Sequence, residues 1–133
     1  MKRILSVALG IGIFAMAAYA HHSIAGVYET NRQVTIEGIV TQFHFVNPHP
    51  FLTVDVKDGN GSPQQWRLEM DNLSELSEIG VTSGTLKPGD RVVVSGSPGR
   101  RESQSLYIRK LDRPVDGFRY EQVGSSPRIS TKR

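Results

Sequence analysis

Residues 34–56 read Val-Thr-Ile-Glu-Gly-Ile-Val-Thr-Gln-Phe-His-Phe-Val-Asn-Pro-His-Pro-Phe-Leu-Thr-Val-Asp-Val, and the fold is decided here. Two β-rich runs meet at Asn47-Pro48-His49-Pro50. Proline fixes φ, lacks an amide donor and pushes its predecessor towards extended geometry, so this corner ends one strand before the next begins. In the first run Val34 and Ile36 share a face, whereas Ile39, Phe43 and Phe45 have the opposite parity. A phase change at Gly38 predicts a β-bulge there, because one extra residue re-aims every later side chain. Small closed barrels need a first strand bent in this way.

The second strand, Phe51 to Lys57, sets Leu52, Val54 and Val56 against Thr53, Asp55 and Lys57. Asp58-Gly59-Asn60-Gly61 tolerates positive φ and turns the chain into a hairpin. Trp66, Leu68 and Met70 alternate with Gln65, Arg67 and Glu69 in a third strand. A short helix follows, with Asp71 or Asn72 as its cap and Leu73, Leu76 and Gly80 along one side. Leu86-Lys87-Pro88-Gly89-Asp90 is a turn with Pro and Gly in the expected order. A fourth strand, Arg91 to Ser95, sends Val92 and Val94 inward, and a fifth spans Ser105 to Leu111. Five strands with one helix between the third and fourth predict an all-β protein, a small OB-fold-like barrel. A β-sandwich is the main competitor, but five strands are few for one.

Ahead of this domain stand Met1-Lys2-Arg3, the apolar run Ile4 to Ala18, and Ala18-Tyr19-Ala20 with small residues where a signal peptidase requires them. That is the pattern of a secretory signal peptide cleaved after Ala20, and the run is shorter than the roughly 20 apolar residues of a spanning helix. The expected organisation is a signal peptide over residues 1–20, a barrel domain over 21–112 and an extended or disordered basic tail over 113–133. The tail expectation rests on Pro114, Gly117, Gly124, Ser125, Ser126 and Pro127 without periodicity. A periplasmic or secreted location follows, with no stable membrane span after cleavage.

Cleavage removes Lys2 and Arg3, so 16 basic residues fall to 14 against 13 acidic, a net charge of +1. Near-neutral charge argues against nucleic acid as a partner. The chain has no cysteine, so an apolar core holds the fold without disulfides, and thiolate zinc sites and c-type haem attachment are excluded.

His-His-Ser at the expected mature start, Asn47-Pro48-His49 at the strand corner and Lys87-Pro88-Gly89-Asp90 before a Val-rich strand together resemble a family of small exported bacterial proteins of unknown function, DUF6152. The resemblance covers roughly His21 to Leu111 and implies export and a compact β domain, with no activity attached.

Two functions are in play. Cleavage before His21 would free an α-amine beside the His21 imidazole, with His22 next to it and His49 or His44 available from the corner. A nitrogen-rich planar set of this kind suits Cu(II), which stands at the top of the divalent affinity order. The bland alternative is that the N-terminal histidines are merely exposed and that His49 hydrogen-bonds a loop carbonyl to hold the corner. The second function is a non-catalytic binding module for an envelope protein or small ligand, with Phe51, Arg67, Tyr107 and Arg109 as exposed candidates on a barrel face. Catalysis has no motif to stand on. There is no Gly-x-Ser-x-Gly, no His-Glu-x-x-His and no phosphate-cradling glycine loop. Asp55 and Glu69 face outward on neighbouring strands, where carboxylates are ordinarily solvated.

Overall fold

The computed structural model describes residues 23–132. In chain order its elements are α1 (Ser23–Val27), β1 (Val34–His44), β2 (Phe51–Lys57), β3 (Pro63–Glu69), α2 (Leu73–Glu78), β4 (Arg91–Pro98), β5 (Ser105–Arg113), β6 (Phe118–Val123) and β7 (Ser126–Thr131). The strands form one sheet in the order β3-β2-β1-β4-β5-β6-β7, and a parallel pairing of β3 with β5 closes β1 to β5 into a barrel. That circuit, with α2 between β3 and β4, is the OB arrangement the strand count predicts.

β1 belongs to both halves of the barrel. Val34 to Ile39 pair with β4, and Ile39 to His44 pair with β2. The change of phase lies further along than Gly38. Register shifts between Val40 and Gln42, making Thr41 the extra residue, with its hydroxyl donating to the Thr53 carbonyl at 3.0 Å. Ile36 and Val40 therefore both point inward, and Ile39 points out, 42 % exposed. Past the bulge Phe43 packs on the core. Gly38 has another task. It sits on the inward face where a Cβ would lie 2.5 Å from the Asp55 carbonyl oxygen and 2.6 Å from Val54 Cγ1. The two strands approach too closely there for any side chain.

Leu52 and Val54 of β2, Leu68 of β3, Val92 and Val94 of β4 and Leu106, Ile108 and Leu111 of β5 fill the barrel, all fully buried. Each such side chain contributes roughly 1.5–3 kcal/mol by leaving water. α2 starts at Asn72, whose Oδ1 accepts the Glu75 amide at 2.9 Å, and it lowers the fully buried Leu76 onto this core.

The segment expected as an extended or disordered tail is a β-hairpin. β5 continues to Arg113, and β6 pairs with it through Leu111 and Tyr120. β6 and β7 meet across Gly124 and Ser125, a two-residue turn with Gly124 at φ 64°. Phe118 and Tyr120 alternate with Arg119 and Glu121, and burying the two rings outweighs the Pro- and Gly-rich composition. Pro127 is accommodated because β7 is an edge strand.

Candidate functional site

The outward face of β1, β2 and β3 is built by alternation. His44, Phe51 and Glu69 occupy one level across the three strands; Gln42, Thr53 and Arg67 occupy the next. His44 stacks on Phe51 with ring centroids 4.1 Å apart and planes inclined by 13°. On the β3 side the Arg67 guanidinium lies over the same ring, 3.9 Å from its centroid. Three strands thus contribute one imidazole, one phenyl and one guanidinium to a single stack. Cation–π contacts of this type are worth about 0.5–2 kcal/mol, and here they also fix the cation's orientation.

Glu69 ends the stack. Its Oε2 accepts the Tyr28 hydroxyl at 2.5 Å and lies 3.7 Å from Arg67 Nη1. Tyr28 reaches this spot because the segment after α1 is strapped along the end of β4, through Glu29 N–H on the Pro98 carbonyl and Arg100 N–H on the Val27 carbonyl, each at 2.8 Å. Burial raises the Tyr28 pKa, the bond to Glu69 and its charge raise it further, and Arg67 offsets part of this. The phenol stays neutral and donating throughout ordinary pH.

Beneath Tyr28 lies Tyr107, with ring centroids 5.6 Å apart. Tyr107 was among the residues expected to be exposed, and it is not: it is 2 % exposed. Its hydroxyl donates to Asp71 Oδ1 at 2.7 Å; Gln122 Nε2 donates to the same oxygen at 2.5 Å, and Tyr120 donates to Oδ2. Burial first, and then the Asp71 carboxylate, raise the pKa of both tyrosines. Arg109, also expected on the surface, is half-buried and donates to Gln122 Oε1 at 2.7 Å. Asp71 is therefore not the helix cap but a buried hub that ties the β6–β7 hairpin to the barrel.

The four candidate metal ligands divide. His21 and His22 lie outside the described residues. His44 is in the stack, and His49 stands in the corner with Nδ1 3.0 Å from the Met70 carbonyl. A carbonyl only accepts, so in the neutral ring Nδ1 carries the proton and Nε2 keeps its lone pair. Among the described residues no three His, Cys, Asp or Glu side chains gather as a metal cluster. Asp55 and Glu69 do face outward, but Glu69 pairs with Phe51, four residues along β2 from Asp55. That is about 13 Å of strand, too far for a working carboxylate pair.

At the other end of the same face is a groove of about 670 Å³ lined by Glu37, Ile39, Asp55, Lys57, Pro63 and Arg91, with backbone from Gly38. Sequence reasoning missed Tyr28 as a site residue and took Glu69 for a solvated carboxylate and Asp71 for a candidate helix cap. Tyr28 did offer a signal, as the one aromatic in the mixed lead-in from Ser23 to Arg32. No described helix is long and apolar enough to cross a membrane.

No curated protein matches this chain. Among solved structures it is similar to TiaS, in the crystal structure of its complex with tRNA and ATP. The two are 17 % identical with a TM-score of 0.46, over 80 % of this chain and 29 % of that one, so the chain spans under a third of TiaS. The match to a family is more extensive, covering residues 10–106, and by it the chain belongs to DUF6152, a family of unknown function.

Proposed function

We propose that this chain is an exported, non-catalytic binding module that engages an envelope protein through the outward face of β1, β2 and β3. The observation that supports this reading is the three-strand stack of His44, Phe51 and Arg67. A phenyl ring held between two planar cationic or ionisable groups presents a rigid, amphipathic surface, so little side-chain entropy remains to be lost on binding. The groove by Ile39 and Lys57 prolongs that surface along β2. The test is capture from envelope extract on the immobilised protein, with the retained species identified by mass spectrometry. Phe51→Ala should lose that species and Arg128→Ala, on β7, should keep it. Retention by Phe51→Ala, or loss by both, removes the reading.

A second reading, copper binding through His21, His22 and His49 with His44 in reserve, has one observation in its favour. The bond to the Met70 carbonyl puts His49 in the tautomer whose free Nε2 ligates metal, with the other nitrogen anchored as metal-binding histidines commonly are. His44 is the poorer candidate, because leaving Phe51 would break the stack. Amine and imidazole must be neutral to bind, so affinity falls with pH. Copper titration of protein beginning at His21, against protein with one residue added before it, decides the matter. Equal affinities exclude the amine.

A further inference from the structure

We propose that Arg67 is the anion-reading residue of this face, and that the ligand is an extended acidic protein segment with carboxylates six residues apart. The inference rests on the binding-module reading and names the chemistry of its partner.

Arg67 differs from every other strand arginine. Arg91 donates to Glu37, Arg113 to Asp90 and Asp116, Arg119 to Asp112, and Arg128 to Glu121, while Arg109 is spent on Gln122. Among the described residues Arg67 has the 3.7 Å approach of Nη1 to Glu69 Oε2, an oxygen already taken by Tyr28 at 2.5 Å, and the neighbouring Tyr28 hydroxyl, but no carboxylate within hydrogen-bond distance. The Nε–Nη2 edge of the guanidinium has no acceptor among the described residues. Stacking on Phe51 holds the plane still, and the side chain is 45 % exposed. A fixed planar fork with a free edge matches a carboxylate, which accepts two parallel N–H bonds. Phosphate fits less well, because Glu69 and Asp55 share this face and would repel a dianion.

The second cation fixes the length of the ligand. Lys57 lines the far groove, exposed and without an acidic partner among the described residues. It lies on the same face as Phe51, the ring that carries the Arg67 guanidinium, and six residues beyond it. At about 3.3 Å per residue that is roughly 20 Å, the span between positions i and i+6 of an extended chain. Asp55 stands two residues short of Lys57, on the same face. The ligand's i+4 position is therefore expected to be basic or neutral, and never acidic.

The experiment is calorimetric titration of the purified protein with acetyl-Asp-Ala-Ala-Ala-Lys-Ala-Asp-amide and with its isomer acetyl-Asp-Asp-Ala-Ala-Lys-Ala-Ala-amide. The spaced peptide should bind at least about fivefold tighter, and Arg67→Lys, which keeps the charge but loses the fork, should weaken it about tenfold. Lys57→Ala should erase the preference between isomers, and Arg128→Lys should change nothing. Arg67→Gln serves as a second variant, with circular dichroism checking that both retain the fold. No binding of the spaced peptide, equal affinity for the isomers, indifference to Arg67, or displacement by equimolar inorganic phosphate would each overturn the proposal. If Phe51→Ala loses the envelope species while both Arg67 variants keep it, the binding face stands and the carboxylate assignment fails.

Discussion

Replacing Asp71 by Ala tests whether the buried hub holds the hairpin to the barrel. Asp71 is 6 % exposed and receives hydrogen bonds from Tyr107, Tyr120 and Gln122. Without it, Tyr107 keeps the bond from Gln122 at 3.1 Å, but the fully buried Tyr120 hydroxyl loses its partner. An unsatisfied buried hydroxyl costs about 1–3 kcal/mol, and each lost bond to a charged acceptor about 1.5–3 kcal/mol in isolation. Allowing for repacking, the expected loss is about 3–5 kcal/mol, a large part of the roughly 5–15 kcal/mol available to a domain. Tyr120→Phe alone should cost about 1.5–3 kcal/mol, since it leaves Oδ2 of the buried Asp71 carboxylate without its donor. Because the orphaned hydroxyl is the liability, adding Tyr120→Phe to Asp71→Ala should recover about 1 kcal/mol. Urea unfolding followed by the single Trp66 gives all four free energies. Asp71→Ala within about 0.5 kcal/mol of the parent, or a double variant less stable than Asp71→Ala, would refute the hub.

Other outcomes follow from particular contacts. Gly96→Ala should cost about 3 kcal/mol, because its Cβ would fall 2.0 Å from the Tyr107 carbonyl oxygen, which β5 holds in place; a thermal melt measures it. Tyr107 and Tyr120 have raised pKa values when folded, so the unfolded chain gives up their protons first. Stability should be intact below pH ~10 and fall above it, by about 1.4 kcal/mol per pH unit from Tyr120, a slope that Tyr120→Phe removes in urea titrations at pH 9 to 11. At Asp112 burial pushes the carboxyl up, but the bond from Arg119 and the charge of Lys110 outweigh it and leave the pKa low. That contribution is present above pH ~4 and lost as pH falls further, so Asp112→Asn should flatten the acid limb of the same curve.

The barrel was legible because its signals are local. Leu52 and Val54, Leu68 and Met70, and Val92 and Val94 alternate within single strands, and Pro48 and Pro50 mark a corner no strand could cross. The bulge lies at Thr41 rather than Gly38, where a glycine looked like its cause. Gly38 answers to Val54 and Asp55 on the neighbouring strand, which only the register reveals. The hairpin was missed for a related reason. Gly124 and Ser125 form a two-residue turn, but β6 is held by Tyr120 reaching Asp71, 49 residues earlier in the chain. The site divides likewise. Phe51 and Arg67 follow from strand alternation, whereas the burial of Tyr107 depends on Tyr28 arriving from the lead-in ahead of β1.

The outward sheet face as the place of binding is tested most directly by amide chemical-shift mapping of the purified protein titrated with the spaced acidic peptide. The largest shifts are expected at Gln42, His44, Phe51, Thr53, Lys57 and Arg67, with β6 and β7 unmoved. Shifts centred on Phe118, Arg119 and Arg128, with the stack unmoved, would contradict the account.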